Sequence, residues 1–327
     1  MHRPSWFSEE RVLVSTAATC GVAKQGRLLR KIDSTTGKRI QTADPETGEP
    51  VDAIDDQLLE DVSALQSSTA AMRQTDRLTP TLRFVPAADV KLSCAVPVYY
   101  DTLLLNSFLA ELDKPEFKGF TARSLDELKE SGQILVSGGH ASPSHEERVG
   151  EVPYIKVSDL RAGLVNINPT NRVPRAVAER YWRGRRSGLK AFDLVSPERT
   201  SKNIGDFCVL MPGQEQVVLT KEIIIIRPGA KAEFDPFYLL WALSLRVVRA
   251  QWRRVIFMQT NREDVGKRYL EIQIPIPPNR DRANEVSVAF REYYTTIANA
   301  RQKLQAYLDR SGSPHHFFMG SAEERND

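Results

Sequence analysis

Cysteine is scarce in this 327-residue chain: Cys20, Cys94 and Cys208 are odd in number and far apart. That spacing fits neither a disulfide framework nor a clustered zinc site, and a reducing, cytoplasmic setting suits it best. Charge of one sign is also scarce. Forty-five basic and 42 acidic residues leave a net charge of +3, so total charge says nothing about nucleic acid and its distribution must decide. No apolar run approaches the length of a membrane span, and the N-terminus lacks the apolar core of a signal peptide. The expectation is a soluble protein with no membrane partner.

Catalytic signatures are missing as well. A polar-Pro-Pro-aromatic loop, which would hold a flipped base for amino methylation, does not occur; the nearest stretch, INPTN at 167–171, lacks the second proline and the aromatic residue. There is no Gly-rich methyl-donor turn and no phosphate loop ending in Gly-Lys-Ser/Thr. Asp126, Glu127 and Glu130 sit with Lys129 on an evident helix, where they fit a solvent face better than a magnesium site. His140 and His145 have no companion ligands at metal spacing, and His315-His316 lie in the tail. No catalytic residue, metal or cofactor site is expected in this chain.

What is present falls into regions of different texture. Residues 1–115 form an irregular N-terminal arm or docking region. Within it, 21–57 is rich in Gly, Thr, Asp and Pro and reads as turns or a long hairpin. A helix follows at 54–66, with Asp55 or Asp56 as N-cap. Extended pieces broken by Pro86 and Pro97 come next, then an amphipathic helix over 101–112. The turn-rich DKPEFKG marks a boundary. Residues 116–280 read as a mixed α+β domain. SLDELKESG has capping-box spacing from Ser124 to Glu127. Ile223 to Ile226 predict a strand buried on both faces. DPFYLLWALSLRVVRAQWRR predicts one helix, with Asp235 as N-cap and Pro236 at its first position. YLEIQIPIPP alternates like a strand from Leu270 to Ile276. No internal repeat is legible.

Residues 281–310 predict a long helix over 282–308. Its seam of Val286, Phe290, Tyr293, Ile297, Ala300, Leu304 and Tyr307 alternates in steps of four and three, as in a coiled coil. Such a face either meets a partner helix or packs on its own domain. Residues 311–327 are expected to be a loose tail.

Local charge supplies the candidate site. Between 172 and 190 stand Arg172, Arg175, Arg180, Arg183, Arg185, Arg186 and Lys190, opposed only by Glu179. Arginines there can reach phosphates or pair bidentately with guanine, and Tyr181 and Trp182 can stack or anchor the segment. A solvated helix face is the plainer reading of such a run; the excess of arginine over lysine favours anion binding. Arg246, Arg249, Arg253 and Arg254 recur at helical spacing, followed by MQTNR at 258–262. Gln259 and Asn261 carry amides able to read adenine, while Thr260 can bond a base edge or phosphate and Arg262 adds charge. Upstream, GEVPYIKVSDLRAG at 150–163 ends a strand at a polar corner, where Lys156 and Ser158 can face a duplex and Asp159 fits a turn cap.

The order SLDELKESG, GEVPYIKVSDL, IGDFCVLMPG, FDPFYLLWALSL, MQTNREDV, YLEIQIPIPP and long terminal helix resembles one target-recognition domain of the DNA-specificity subunits of type I restriction–modification enzymes. The resemblance spans residues 120–310 and rests on the order of the pieces. It implies an α+β domain with a DNA-facing loop at 258–262, joined to a coiled-coil-like helix that packs on a partner helix. The implied role is non-catalytic: reading half of a bipartite sequence in double-stranded DNA for restriction–modification or other phage defence. S-adenosylmethionine would then sit on a partner adenine methyltransferase subunit, with a nuclease or translocase in full complexes. The family's subunits carry two such domains, and one is legible here. A two-part site would therefore require a homodimer or a second subunit. The N-terminal part is more weakly similar to the segment after the catalytic domain of N6-adenine methyltransferases, through GRLLRKIDSTTGKRI and IDDQLLEDV. The competing expectation is an interaction scaffold that docks a methyltransferase or nuclease and touches DNA only incidentally.

Overall fold

The turn-rich start of the chain folds around two copies of one motif. DSTTG at 33–37 and DPETG at 44–48 share Asp-x-x-Thr-Gly. In the computed structural model Asp33 Oδ1 accepts from the N–H groups of Thr35 (2.9 Å) and Thr36 (2.7 Å). Asp44 Oδ1 does the same for Glu46 (2.9 Å) and Thr47 (3.0 Å). Gly37 and Gly48 end the turns at φ 69° and 73°, a region that glycine enters without steric cost. The repeat is therefore real, though too short to stand out against the composition of the segment.

The structure describes residues 10–69, 72, 77–91, 94–144, 149–182, 188–259 and 262–312. The chain divides into two units, Met1–Asp101 and Thr102–Asp327. The first holds β1 (Arg11–Ser15), the hairpin β2 (Gln41–Ala43) and β3 (Pro50–Asp52), helix α1 (Gln57–Ser67) and β4 (Leu82–Pro86). β1 pairs antiparallel with β4. Asp56 caps α1 by accepting from Leu59 N–H at 2.8 Å. This helix is inverted: its buried side chain is Asp61, which accepts from the hydroxyls of Ser15 (2.6 Å), Thr79 (2.6 Å) and Thr81 (2.7 Å). Leu58, Leu59 and Val62 are exposed.

The division falls at Asp101 rather than near residue 115, because α2 (Thr102–Leu112) buries Phe108 in the second unit's core and packs Leu105 and Leu112 against it. β5 (Thr121–Ser124) then leads into α3 (Leu125–Glu130), where Ser124 and Glu127 form the full capping box. The sheets are built from β6 (Ile134–Gly138), β7 (Val152–Ile155), β8 (Leu160–Arg161), β9 (Leu164–Val165), β10 (Arg172–Val173), β11 (Leu194–Pro197), β12 (Cys208–Val209), β13 (Val218–Leu219) and β14 (Ile223–Pro228), with α4 (Arg175–Trp182) between β10 and β11. A mixed six-stranded sheet runs β6-β14-β11-β12-β9-β8, and a three-stranded sheet runs β10-β7-β13.

Strand alternation sorts these sheets into layers. Ile224 and Ile226 of β14, Leu194 and Val209 face one core; Ile223, Ile225, Val195 and Cys208 face another. Ile155 and Leu219 share that second core from the three-stranded sheet. Their neighbours Tyr154 and Val218 turn the opposite way, against Val177 and Ala178 of α4. The unit is thus stacked as helices, six-stranded sheet, three-stranded sheet, α4. The fold class is α+β.

On the helical side lie α5 (Pro236–Ser244), α6 (Arg246–Val255), the hairpin β15 (Phe257–Gln259) and β16 (Arg262–Asp264), β17 (Gln273–Ile276) and helices α7 (Arg280–Val286) and α8 (Val288–Arg310). Asp235 caps α5 through Tyr238 N–H at 2.9 Å, with Pro236 in its first turn. The single helix expected over this stretch breaks at Leu245, whose φ of −57° and ψ of 134° are extended. Of the expected YLEIQIPIPP strand Gln273–Ile276 pairs in a sheet, with β5, while Gly266–Glu271 forms a 3₁₀ turn. The terminal helix likewise breaks at Ser287, whose hydroxyl donates back to the Ala283 carbonyl at 2.8 Å.

The expected seam divides between the domain core and the exposed surface. Tyr294 and Gln305 are buried, Phe290, Ile297 and Ala298 pack on the main core, and so does Val286 at the end of α7. Tyr294 stacks on Phe237 and donates to the Gly163 carbonyl at 3.1 Å, and Arg291 pairs with Asp235 at 2.6 Å. Tyr293, Ala300, Leu304 and Tyr307 stay exposed. The helix therefore lies on its own domain by one stripe, and the outer part of the seam flanks it, about 100° away around the axis.

Candidate nucleic-acid interface

Carboxylates fix the backbone near both ends of the segment from 150 to 193, whose strands are shared between the two sheets, β7 and β10 in the three-stranded one and β8 and β9 in the six-stranded one. At the upstream end the Glu151 carboxylate accepts from Arg175 N–H at 3.1 Å, at the start of α4, while the Glu151 carbonyl accepts from the Arg172 guanidinium. Arg172 lies on β10 opposite Pro153 of β7. Lys156 reaches across this sheet to Asn171 Oδ1 at 2.7 Å. Asp159 closes the polar corner: its carboxylate accepts from Lys156 N–H at 2.8 Å, and burial holds its pKa above the usual value. Ser158 is exposed beside it, its carbonyl taking a bond from Arg161 Nε at 2.7 Å.

At the downstream end Asp193 is 1% exposed. Its Oδ2 accepts from Lys190 N–H at 2.8 Å and from Arg227 at 2.6 Å, and Arg227 also donates to the Gly188 carbonyl at 2.9 Å. Burial pushes the Asp193 carboxyl up to about 6, against the pull of Arg227 and Lys190. Between these anchors α4 buries Val177 and Ala178 and presents Ala176, Glu179 and Arg180 outward. Arg175, half-buried, stands 3.5 Å from Glu179. Lys190 is exposed. Arg183, Arg185 and Arg186 lie outside the described residues.

The second cluster has a different setting. Arg249 donates to the Ile204 carbonyl at 3.3 Å and pairs with Asp206 at 2.7 Å, and burial lowers its pKa. It borders a cleft of about 430 Å³ shared with Arg161, Gly163, Asn203, Asp206 and Ser244. Gly205 makes this packing possible: at φ 82°, any Cβ would lie 2.3 Å from Arg249 Nη1 and 2.5 Å from the Trp252 ring. Arg254 is half-buried 3.9 Å from Glu271. Arg246 and Arg253 are exposed. Gln259 and Arg262 close the β15–β16 pairing, and Thr260 and Asn261 between them lie outside the described residues.

α4 and α6 lie on opposite sides of the sheets, although Arg161, beside the polar corner, shares a cleft with Arg249. α6 packs Val248, Trp252 and Val255 into the core on the helical side, whereas α4 sits beyond both sheets. Sequence spacing located each cluster but not the layers between them. It also missed Glu151, Asp193 and Arg227, the groups that tie down the first cluster. Their signal was weak, a lone charge flanking or inside an apolar strand. Among the described residues no group of three or more His, Cys, Asp or Glu side chains is placed to hold a metal ion, and no helix is long and apolar enough to cross a membrane.

No family model matches this chain, and no curated protein matches its sequence. Among solved structures it is similar to the S subunit of a type I restriction-modification system from M. genitalium, at 14% identity and a TM-score of 0.36 over 58% of this chain and 42% of that one. A second is the HsdS subunit from Thermoanaerobacter tengcongensis, at 16% identity and 0.36 over 63% and 46%. A third belongs to a type I R-M system described for its complex assembly and conformational transition, at 15% identity and 0.38 over 82% and 74%. The chain thus spans less than half the length of the first two.

Proposed function

We propose that this chain is a non-catalytic DNA-recognition subunit that positions an adenine-N6 methyltransferase, and a nuclease where one is present, on a target sequence. The observation that carries the reading is the outer layer of the second unit. Arg172, Arg175 and Arg180 are gathered on β10 and α4, where Glu151 takes the Arg175 N–H and the Arg172 guanidinium, and Lys190 follows in sequence beside Asp193. A held backbone with Arg180 exposed and Arg172 and Arg175 half-buried beside it suits phosphate contact, which fixes register and leaves base reading to neighbouring groups such as Lys156 and Ser158. The order of sequence pieces shared with specificity subunits supports the same role. In this reading α6 belongs to the scaffold, because its Arg249 and Arg254 face carboxylates of their own domain.

The exposed stripe Tyr293, Ala300, Leu304 and Tyr307 suits the partner helix that such a subunit needs. Binding to random duplex libraries at several salt concentrations tests the whole reading. A reader selects a motif of a few base pairs and shows a steep salt slope. If binding is featureless with the methyltransferase present, and reversal of Arg172, Arg175 and Arg180 leaves it unchanged, the scaffold reading replaces it.

A further inference from the structure

The aliphatic surface of the chain is concentrated where the recognition reading makes no use of it. Of 19 large hydrophobic residues exposed among the described residues, 11 lie in the first unit, from Leu13 to Met72. A folded monomer rarely leaves so much apolar surface uncovered in one region. The two Asp-x-x-Thr-Gly hairpins meet where Lys31 N–H donates to the Ala53 carbonyl (2.8 Å), Ala53 N–H to Ile40 (2.9 Å) and Ile40 N–H to Lys31 (2.9 Å). Residues directly opposite in antiparallel pairs share a face. Val22 stands opposite Leu28, Arg30 opposite Ile54, and Ile32 opposite Arg39. Val22, Leu28, Ile32 and Ile54 therefore lie on one side of this arm, all exposed, Ile32 by 60%.

Charge divides the same arm in two. Residues 22–40 hold six basic side chains and one acidic; residues 41–54 hold four acidic and no basic ones. Part of this is settled internally, by Arg39 with Asp52 at 2.7 Å and Lys31 with Glu60. Arg27 and Lys38 on the basic side, and Glu46 and Glu49 on the acidic side, make no ion pair among the described residues. Lys38 follows the tip of the first hairpin, and Glu46 and Glu49 bracket the tip of the second.

We propose that the arm formed by residues 22–54 is a self-association surface that pairs with the same arm of a second copy of this chain about a two-fold axis. An isologous interface must be complementary to itself. This arm has that property: the basic hairpin of one copy fits the acidic hairpin of the other in both directions at once, over a shared aliphatic centre. A different protein would need the same dipole reversed. The arm is also comparable in size with the roughly 20–30 residues per side of a standard interface. The inference goes beyond the DNA-recognition reading and does not depend on it.

Sedimentation equilibrium of the full chain tests it, with Lys38→Glu as one variant and Glu46→Lys/Glu49→Lys as another. All three positions are exposed at turns, and far-ultraviolet circular dichroism checks that both variants fold. The wild type should dimerise at micromolar concentration. Each variant alone should dimerise ~10-fold or more weakly, because like charges then face each other, and an equimolar mixture of the two should restore a dimer. A monomeric wild type overturns the proposal, as does a dimer that ignores both reversals or a mixture that stays monomeric. A dimer lost only in Leu304→Glu/Tyr307→Glu also overturns it, by moving the interface to α8. DNA selection by the same variants is a separate readout, so failure here and failure of the recognition reading remain distinguishable.

Discussion

Two arginine-bearing helices of the same unit, α4 and α6, look alike in sequence and differ in what surrounds their charges. On α6 the amphipathic pattern is strong, and the helix buries Val248, Gln251, Trp252 and Val255. Two of its four arginines then face local carboxylates, Asp206 and Glu271. On α4 the buried side is slight, Val177 and Ala178, and Glu151 accepts from the Arg175 N–H where the helix starts. The contrast teaches that a cationic cluster is better judged by its setting in the fold than by its density. Arg249, half-buried between Asp206 and the Ile204 carbonyl, serves the fold, whereas Arg180, exposed on the outermost helix, stands where a duplex can reach it, with Arg175 beside Glu179 and Arg172 on the Glu151 carbonyl.

Replacing Arg172, Arg175 and Arg180 together with Glu should have the largest effect. Duplex affinity should fall by about 10²-fold or more, and the slope of log K against log salt by about 3, one for each phosphate that is no longer neutralised. The matched change on the other helix, Arg246→Glu with Arg253→Glu, should move neither value by more than a small fraction. Fluorescence anisotropy titrations across a salt series give both numbers, and equal losses on the two helices would erase the distinction.

Gly205→Ala probes the scaffold role of α6 next. Its Cβ would meet Arg249 and Trp252 inside van der Waals contact at a left-handed φ, so unfolding free energy should drop by about 2–4 kcal/mol. Chemical denaturation measures it, and a neutral result would mean that this corner is loosely packed. Arg249→Met should cost less, about 1 kcal/mol, through the lost Ile204 and Asp206 bonds. Affinity for DNA should be unchanged once the fold is intact.

The smallest effect is expected at Asp193, and its sign follows from burial. The folded carboxyl titrates at about 6, whereas an unfolded aspartate titrates at about 3.9. The native state therefore holds a proton that the unfolded chain has released. This site favours folding most below pH ~4, and its contribution fades as pH rises through 6. Asp193→Asn should flatten that part of the stability profile, by on the order of 1 kcal/mol, in thermal melts from pH 4 to 7. An unaltered profile would place the titration elsewhere.

Local chemistry was legible in the sequence wherever one short stretch decides the outcome. The caps at Asp56, Ser124 and Asp235 form as their residue types require. Ile223 to Ile226 are buried on both sides because β14 lies between β6 and β11 with a core on each face. The breaks at Leu245 and Ser287 were not legible, since no Gly or Pro marks them and the apolar period continues across. Nor was the separation of the two arginine clusters. It depends on β13 joining β7 in parallel across more than sixty residues, a pairing that no local pattern encodes. The seam over α7 and α8 divides between two uses of its period: Val286, Phe290 and Ile297 pack on the core with Tyr294 and Gln305 beside them, while Tyr293, Ala300, Leu304 and Tyr307 are exposed, and apolar spacing alone does not tell the two apart.

The most direct measurement is selection of bound duplexes from a random library by the full chain with its methyltransferase, repeated with the Arg172/Arg175/Arg180 reversal. If the outer layer of the second unit grips DNA for a reader without chemistry of its own, the wild type enriches a motif of a few base pairs and the reversed chain enriches none. Enrichment of the same motif by both chains would contradict that account.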